Sequence, residues 1–310
     1  MSERVALVVT GRLEFRGLAR ALRRLFTGAE FFVTHSLSEV DLKDSTSARV
    51  DPARNARNAA EGKIPAIDDL VEHLAGNLCG RGAASFSVLV EDLELANRGN
   101  EANVVQAVRE SVVRHLAKVA GRRDGPRDLG DRLRERASFH LFDPMVEAYF
   151  YHDPAALDVA QGGLGRAAHR VAGRDPERFE VDAPAEPGYF AAVGECPRHR
   201  HPKDRKCPWA GALRHEHPKK YLKYLCREPS PNEFCSTYLE TEGGANALAG
   251  LDWTRILAAS GSSPFLRALV EDLEDALKRP PAIHGWPAVQ TSTAHTARCQ
   301  APRARILRNL

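Results

Sequence analysis

The chain has 310 residues, with 44 Lys+Arg against 41 Asp+Glu, a formal net charge of +3 and 43% hydrophobic residues. That length can bury a self-sufficient core in one large or two smaller domains. Balanced charge among apolar periodicity excludes a disordered chain, and so small a surplus does not by itself mark a nucleic-acid binder. No run of apolar residues is long enough to span a bilayer, and the opening MSERVALVVT lacks the layout of a signal peptide. A soluble cytoplasmic protein is expected.

Arg4 to Val9 (RVALVV) is a short apolar run ending at Thr10-Gly11, which suits a buried strand that turns sharply. Leu18, Leu22, Leu25 and Phe26 then recur at helical spacing with arginines between them. Ala29 to Thr34 reads as a second strand, and the polar stretch Lys43 to Lys63, with its RNARN tract, as a long loop or lid. Pro65, Asp68 and Asp69 open a helix whose Ile67, Leu70, Val71, Leu74 and Leu78 share a face. Phe86 to Val90 is the next strand. Val105, Val108, Val112, Leu116 and Val119 form one helical stripe that Gly121 ends. After a basic connection, Phe139 to Phe142 reads as a strand and Met145 to Tyr151 as helical. Alternation of this kind predicts an α/β sheet with helices on both faces.

Beyond Leu157 the Gly, Pro and charge content rises, as in a linker. A helix begins at Pro218, and another, capped by Ser263 with Pro264 at its first position, buries Phe265, Leu269, Val270, Leu273 and Leu277. The expected organisation is an α/β domain over 1–160, a mostly helical part with a Cys/His cluster over 161–280, and a loose basic tail over 281–310.

Functional side chains of an α/β sheet gather at the carboxyl ends of its strands. Glu14 follows the first strand, Asp92 and Glu94 the central one, and Glu147 the FHLF strand. If the sheet is as drawn, these carboxylates meet. Three or four hard oxygen ligands suit Mg²⁺ or Mn²⁺, and phosphodiester hydrolysis is the chemistry such an ion serves. The plainer reading makes Glu14 a first-turn carboxylate favoured by the helix dipole. On that reading Asp92 and Glu94 are solvated loop charges, and Glu147, flanked by MVEAYF, is a partly buried residue with a salt-bridge partner.

The order of a VxGxxE turn (Val9 to Glu14), a D-x-E pair (Asp92-Leu93-Glu94) and MVEAYFYHDPAAL resembles Toprim-like proteins. The closer likeness is to the Toprim-related family often encoded beside AAA-type ATPases and akin to OLD-type nucleases. HPKKYLKYL and YLETEGGANAL look like stretches of that family too, so the resemblance covers about residues 4 to 280. It implies a Toprim-like sheet, a divalent-metal-dependent nuclease acting on DNA or RNA or a degenerate descendant of one, and an ATPase partner in a defence-type system. Glu14, Asp92 and Glu94 would hold Mg²⁺ or Mn²⁺, with Glu147 behind them or as a further ligand. Thr10 stands where those nucleases carry their first-strand glutamate, and Glu94 stands where Asp is usual. Thr10 cannot act as a general base, so the alternative is a non-catalytic nucleic-acid-binding or adaptor subunit.

Cys196, His199, His201, Cys207, His215, His217, Cys226 and Cys235 crowd into a short stretch. A structural zinc wants four Cys or His ligands, and Cys196, His201, Cys207 and His217 are the preferred set. The competing reading is a basic surface loop whose cysteines are small packing residues. Arg198, Arg200, Lys203, Arg205, Lys206, Lys219, Lys220 and Lys223, with Tyr221 and Tyr224 among them, suggest phosphate contacts and base stacking, or merely a solvated face.

Overall fold

The computed structural model describes residues 3–34, 45–63, 65–120, 128–170, 175–195, 209, 211–227, 236–260, 263–280 and 305–310, with backbone alone at 193–195 and 259–260. Four strands, β1 (Glu3–Val9), β2 (Ala29–Val33), β3 (Phe86–Asp92) and β4 (Ala137–Phe142), form an all-parallel sheet in the order β2-β1-β3-β4. The α/β expectation holds at this level. Val5 to Val9 are wholly buried, which is why β1 reads as an unbroken apolar run rather than an alternating one.

The chain divides into two compact units, one of residues 1–11, 22–142 and 264–310, the other of 12–21 and 143–263. In the first, Val8, Leu89, Phe139 and Leu141 pack with Ile67, Leu70, Val71 and Leu74 of α3 (Ala66–Gly76) and with Val104, Val105, Val108 and Val112 of α4 (Glu101–Ala120). The side chain at the alternate position, His140, meets Asp272 of α12 (Pro264–Ala276) at 3.1 Å, so helices lie on both faces of β4.

Two elements differ from the sequence reading. The RNARN tract is the helix α2 (Pro52–Ala60), because Asp51 caps it by accepting from the Ala53 and Arg54 amides and Pro52 fills its first position. The latter part of the basic connection is the helix α5 (Leu129–Arg136), which buries Leu129 and Leu133, an i, i+4 pair that the surrounding charge conceals.

Residues 305–310, read from composition as the end of a loose tail, are packed. Leu307 and Leu310 enter the core with α3 and α4. The Arg308 amide donates to the Ala137 carbonyl at 2.7 Å. Asn309 exchanges two bonds with Phe139, accepting from its amide at 3.1 Å and donating to its carbonyl at 2.6 Å. The outer edge of β4 is thus sealed by the chain itself. The Arg308 guanidinium reaches Asp272 at 2.8 Å and also pairs with Asp275.

The second unit holds residues 12–21 of α1 (Arg12–Leu25) together with α6 (Glu147–Phe150), α7 (Pro154–Ala160), α8 (Pro187–Glu195), α9 (Pro218–Leu225), α10 (Ala245–Gly250) and α11 (Trp253–Ser260). Its core is aromatic. Tyr151, Phe179, Tyr189, Tyr221 and Tyr224 stack or meet edge-on, and the hydroxyls of Tyr151 and Tyr189 donate to the Pro218 and Arg214 carbonyls, both at 2.8 Å. Buried tyrosines thus keep their polar ends satisfied. Asp153 caps α7 and also accepts from the Asp252 amide at 3.0 Å. Glycine lets α1 and the 240–250 stretch approach: a Cβ on Gly17 would stand 2.8 Å from the Ala245 carbonyl oxygen, and one on Gly244 would stand 2.9 Å from Leu13 Cδ1. Among the described residues, no helix is long and apolar enough to cross a membrane.

Candidate active site

The sheet order places the reversal of chain winding between β1 and β3. Val9 lies in register with Val90, so Thr10 and Gly11 leave β1 beside the end of β3. This is where open α/β sheets bind ligands. Asp92 is the last residue of β3, and both it and Glu94 are half-buried.

Glu91, on the opposite side of the strand, is 1% exposed. It accepts from the Ser45 amide at 2.9 Å and hydroxyl at 2.7 Å, while the Thr46 hydroxyl donates to the Asp92 carbonyl at 2.6 Å. Buried Asn97 completes the fastening: it donates to the Thr46 and Ala48 carbonyls at 2.7 and 3.1 Å and accepts from the Val50 amide at 2.8 Å. Glu91 and Asn97 therefore hold residues 45–50 against the carboxyl end of β3. The sequence offered no signal for this, since a polar side chain bonded to a distant backbone leaves no periodicity.

Glu94 has φ 60° and ψ 149°, a conformation that glycine takes freely and that costs any other residue about 1–3 kcal/mol. It is held there by the Leu93 amide on the Phe142 carbonyl at 2.8 Å and the Asn97 amide on its own carbonyl at 3.0 Å. Such strain in a carboxylate at a strand's carboxyl end suits a functional side chain more than a solvated loop charge. Glu94→Gly is expected to raise stability by about 1 kcal/mol in denaturant unfolding, while removing the carboxylate.

Glu14 and Glu147 come together within the second unit. Glu14 is 5% exposed and Glu147 2%. Burial, and next the Glu147 charge, push the Glu14 carboxyl up to about 8, so it carries a proton at neutral pH. Glu147 is also raised, chiefly by burial, though Lys219 and the Tyr238 hydroxyl counter the shift. The Lys219 ammonium stands 3.8 Å from Glu147 and 3.0 Å from Glu240, and Tyr238 donates to Glu147 at 3.3 Å. The arrangement is a buried carboxyl pair with a partly exposed cation beside it. It can hold or release a proton near pH 8, and it bears out the plainer expectation that Glu147 has a salt-bridge partner.

Glu14 and Glu147 belong to one unit, and Asp92 and Glu94 to the other. Among the described residues, no group of three or more His, Cys, Asp and Glu is arranged to hold a metal ion.

Of the expected zinc ligands, Cys196, His201 and Cys207 lie outside the described residues, as do His199 and Cys235. His217 is largely buried. Burial first, then Lys220, Lys219 and Lys223, push its imidazole down to about 3, so it is neutral, and its Nδ1 has no hydrogen-bond partner among the described residues. A neutral imidazole with a free buried nitrogen has the chemistry of a metal ligand. Cys226, by contrast, is wholly buried, and burial pushes its thiol up to about 12, the behaviour of a small packing residue.

The stacking role expected of Tyr221 and Tyr224 is corrected. They are 0% and 3% exposed within the aromatic core, so neither presents a face to a base. Elsewhere in the first unit, a groove of about 640 Å³ between α2 and α4 is lined by Ala56, Ala59, Ala60 and Val113 with Arg109 and Glu110, and offers apolar area more than reactive groups. Comparison of the chain with family models, curated proteins and solved structures gave no match in any of the three.

Proposed function

We propose that the protein is a Toprim-like, divalent-metal-dependent phosphodiesterase acting on nucleic acid, with its acidic site reduced to Asp92 and Glu94. The observation that carries this reading is the placement of both residues at the carboxyl end of β3 beside the turn leaving β1, with Glu94 in a strained backbone. Two carboxylates are enough for Mg²⁺ or Mn²⁺, because such an ion is commonly held by one or two carboxylates together with substrate phosphates and water. When bound, it supplies charge stabilisation at phosphorus and a more acidic water. Glu147 is set apart from this role by its pairing with Lys219. The proposal retains a structural zinc on Cys196, His201, Cys207 and His217, supported at His217 alone, and an ATPase partner, supported by the sequence resemblance.

The reading is tested by incubating labelled DNA and RNA with the protein and Mn²⁺, beside Asp92→Asn and Glu94→Gln. Cleavage should fall at least a hundredfold in Asp92→Asn, on the order of removing one group that stabilises transition-state charge. Equal cleavage by all three proteins would place the activity elsewhere. Thr10, which stands in place of an acid at the end of β1, favours a second reading, a non-catalytic nucleic-acid-binding subunit. That reading requires binding without cleavage in either metal.

A further inference from the structure

Helix α1 exposes five positions, 12, 16, 20, 23 and 24, and every one is arginine. Leu13, Leu18 and Leu22 are buried, and the helix's one acid, Glu14, is buried too. At 100° per residue, Arg12, Arg16 and Arg20 fall on one narrow stripe, each about 6 Å along the axis from the last.

A face turned only to water is better built with mixed signs, because opposite charges four residues apart support a helix and like charges weaken it. Arg12 also sits in the first turn, at the positive end of the helix dipole, where a cation is unfavourable. The stripe therefore works against its own helix. Its arginines are also held in place. Arg16 donates to the Thr241 carbonyl at 3.3 Å and Arg20 to the Asn246 side chain at 3.0 Å. Each of these bonds uses one of a guanidinium's five N–H groups.

We propose that Arg12, Arg16 and Arg20 are a track for the sugar-phosphate backbone of a nucleic-acid strand. The axial step between these arginines is of the order of the spacing between neighbouring phosphates, and a planar guanidinium can grip a phosphate through two donors. This deepens the reading of the protein as a nucleic-acid phosphodiesterase and rests on it for the identity of the polyanion. The contacts are to phosphate, so they position the strand and do not read its bases.

Binding of a labelled single-stranded oligonucleotide to the full chain in EDTA, across a range of salt concentrations, tests the track without any cleavage. Arg16→Gln/Arg20→Gln should weaken binding on the order of tenfold near physiological salt and reduce the slope of log K against log salt by about 1.4, or about 0.7 per lost phosphate contact. Arg16→Lys/Arg20→Lys should keep most of that slope, because the charges remain. Arg54→Gln/Arg57→Gln removes two exposed arginines from α2 and should leave the slope unchanged. An unaltered slope in the α1 variant overturns the proposal, and so does an equal loss in both glutamine variants, which would mean a diffuse charge effect. Preference for anionic lipid vesicles over the oligonucleotide would overturn it as well. A changed slope without cleavage by the wild type would keep the track and reject the phosphodiesterase, whereas Asp92-dependent cleavage with an unchanged slope would do the reverse.

Discussion

Asp272→Ala is expected to lower the unfolding free energy by about 3–5 kcal/mol in denaturant titrations at pH 7, the cost of removing one partner from a buried charged network. The Asp272 side chain is 1% exposed and accepts from His140 at 3.1 Å and Arg308 at 2.8 Å, so its loss strands a buried imidazole and leaves Arg308 with Asp275 as its remaining partner on α12. Burial pushes the Asp272 carboxyl up, but His140, Arg308 and the Ser138 hydroxyl together outweigh it and hold the group below the ordinary carboxylate value of 3.8. A carboxyl whose native pKa is depressed stabilises the fold at every pH above the unfolded value, and that contribution disappears as pH falls through the native one. The acid limb of the wild-type stability curve should accordingly be steeper than that of Asp272→Ala. A loss under 1 kcal/mol would mean that the network is not the clamp described.

Glu14→Gln should act in the opposite direction and stabilise the protein increasingly as pH rises from about 5 to about 8. The native Glu14 carboxyl titrates near 8 against an ordinary 4.5, so between these values the folded state holds a proton that the unfolded state has lost, and stability falls as pH rises. A shift of that size is worth on the order of a few kcal/mol once both states are ionised. A glutamine cannot ionise and escapes the loss. Thermal melts of the two proteins should coincide near pH 5 and diverge progressively to about pH 8, with the variant higher. Parallel curves over that range would show that Glu14 is ionised throughout, and would return it to the set of anionic ligands available for a metal.

The sheet was legible chiefly from β1, whose Val5 to Val9 form a continuous apolar run buried from both sides. Helix α4 was legible from its valine stripe, and α12 from Pro264 and its leucines. What escaped depends on partners distant in the chain. Asp51 caps α2, but the RNARN tract after it has no buried residue and so no apolar periodicity to read. Arg308 and Asn309 looked like tail residues because their partners, Asp272 and Phe139, lie 36 and 170 positions away.

The same limit shaped the reading of the acids. Spacing put Asp92 and Glu94 at the end of a strand, where they are found. It could not reveal that Glu14 would be buried beside Glu147, or that Lys219 from a helix some seventy residues further on would supply that pair's cation. The motifs that carry the family resemblance, MVEAYFYHDP and YLETEGGANAL, meet inside the second unit through Glu147, Tyr238 and Gly244.

The central claim, that Asp92 and Glu94 hold a divalent ion together with a nucleic-acid phosphate, is tested most directly by Mn²⁺ titration followed by electron paramagnetic resonance, with a phosphorothioate oligonucleotide present. The account predicts one exchangeable Mn²⁺ per chain that needs the oligonucleotide for tight binding, is lost in Asp92→Ala, and is retained in Glu14→Gln. Undiminished Mn²⁺ binding in Asp92→Ala would contradict it.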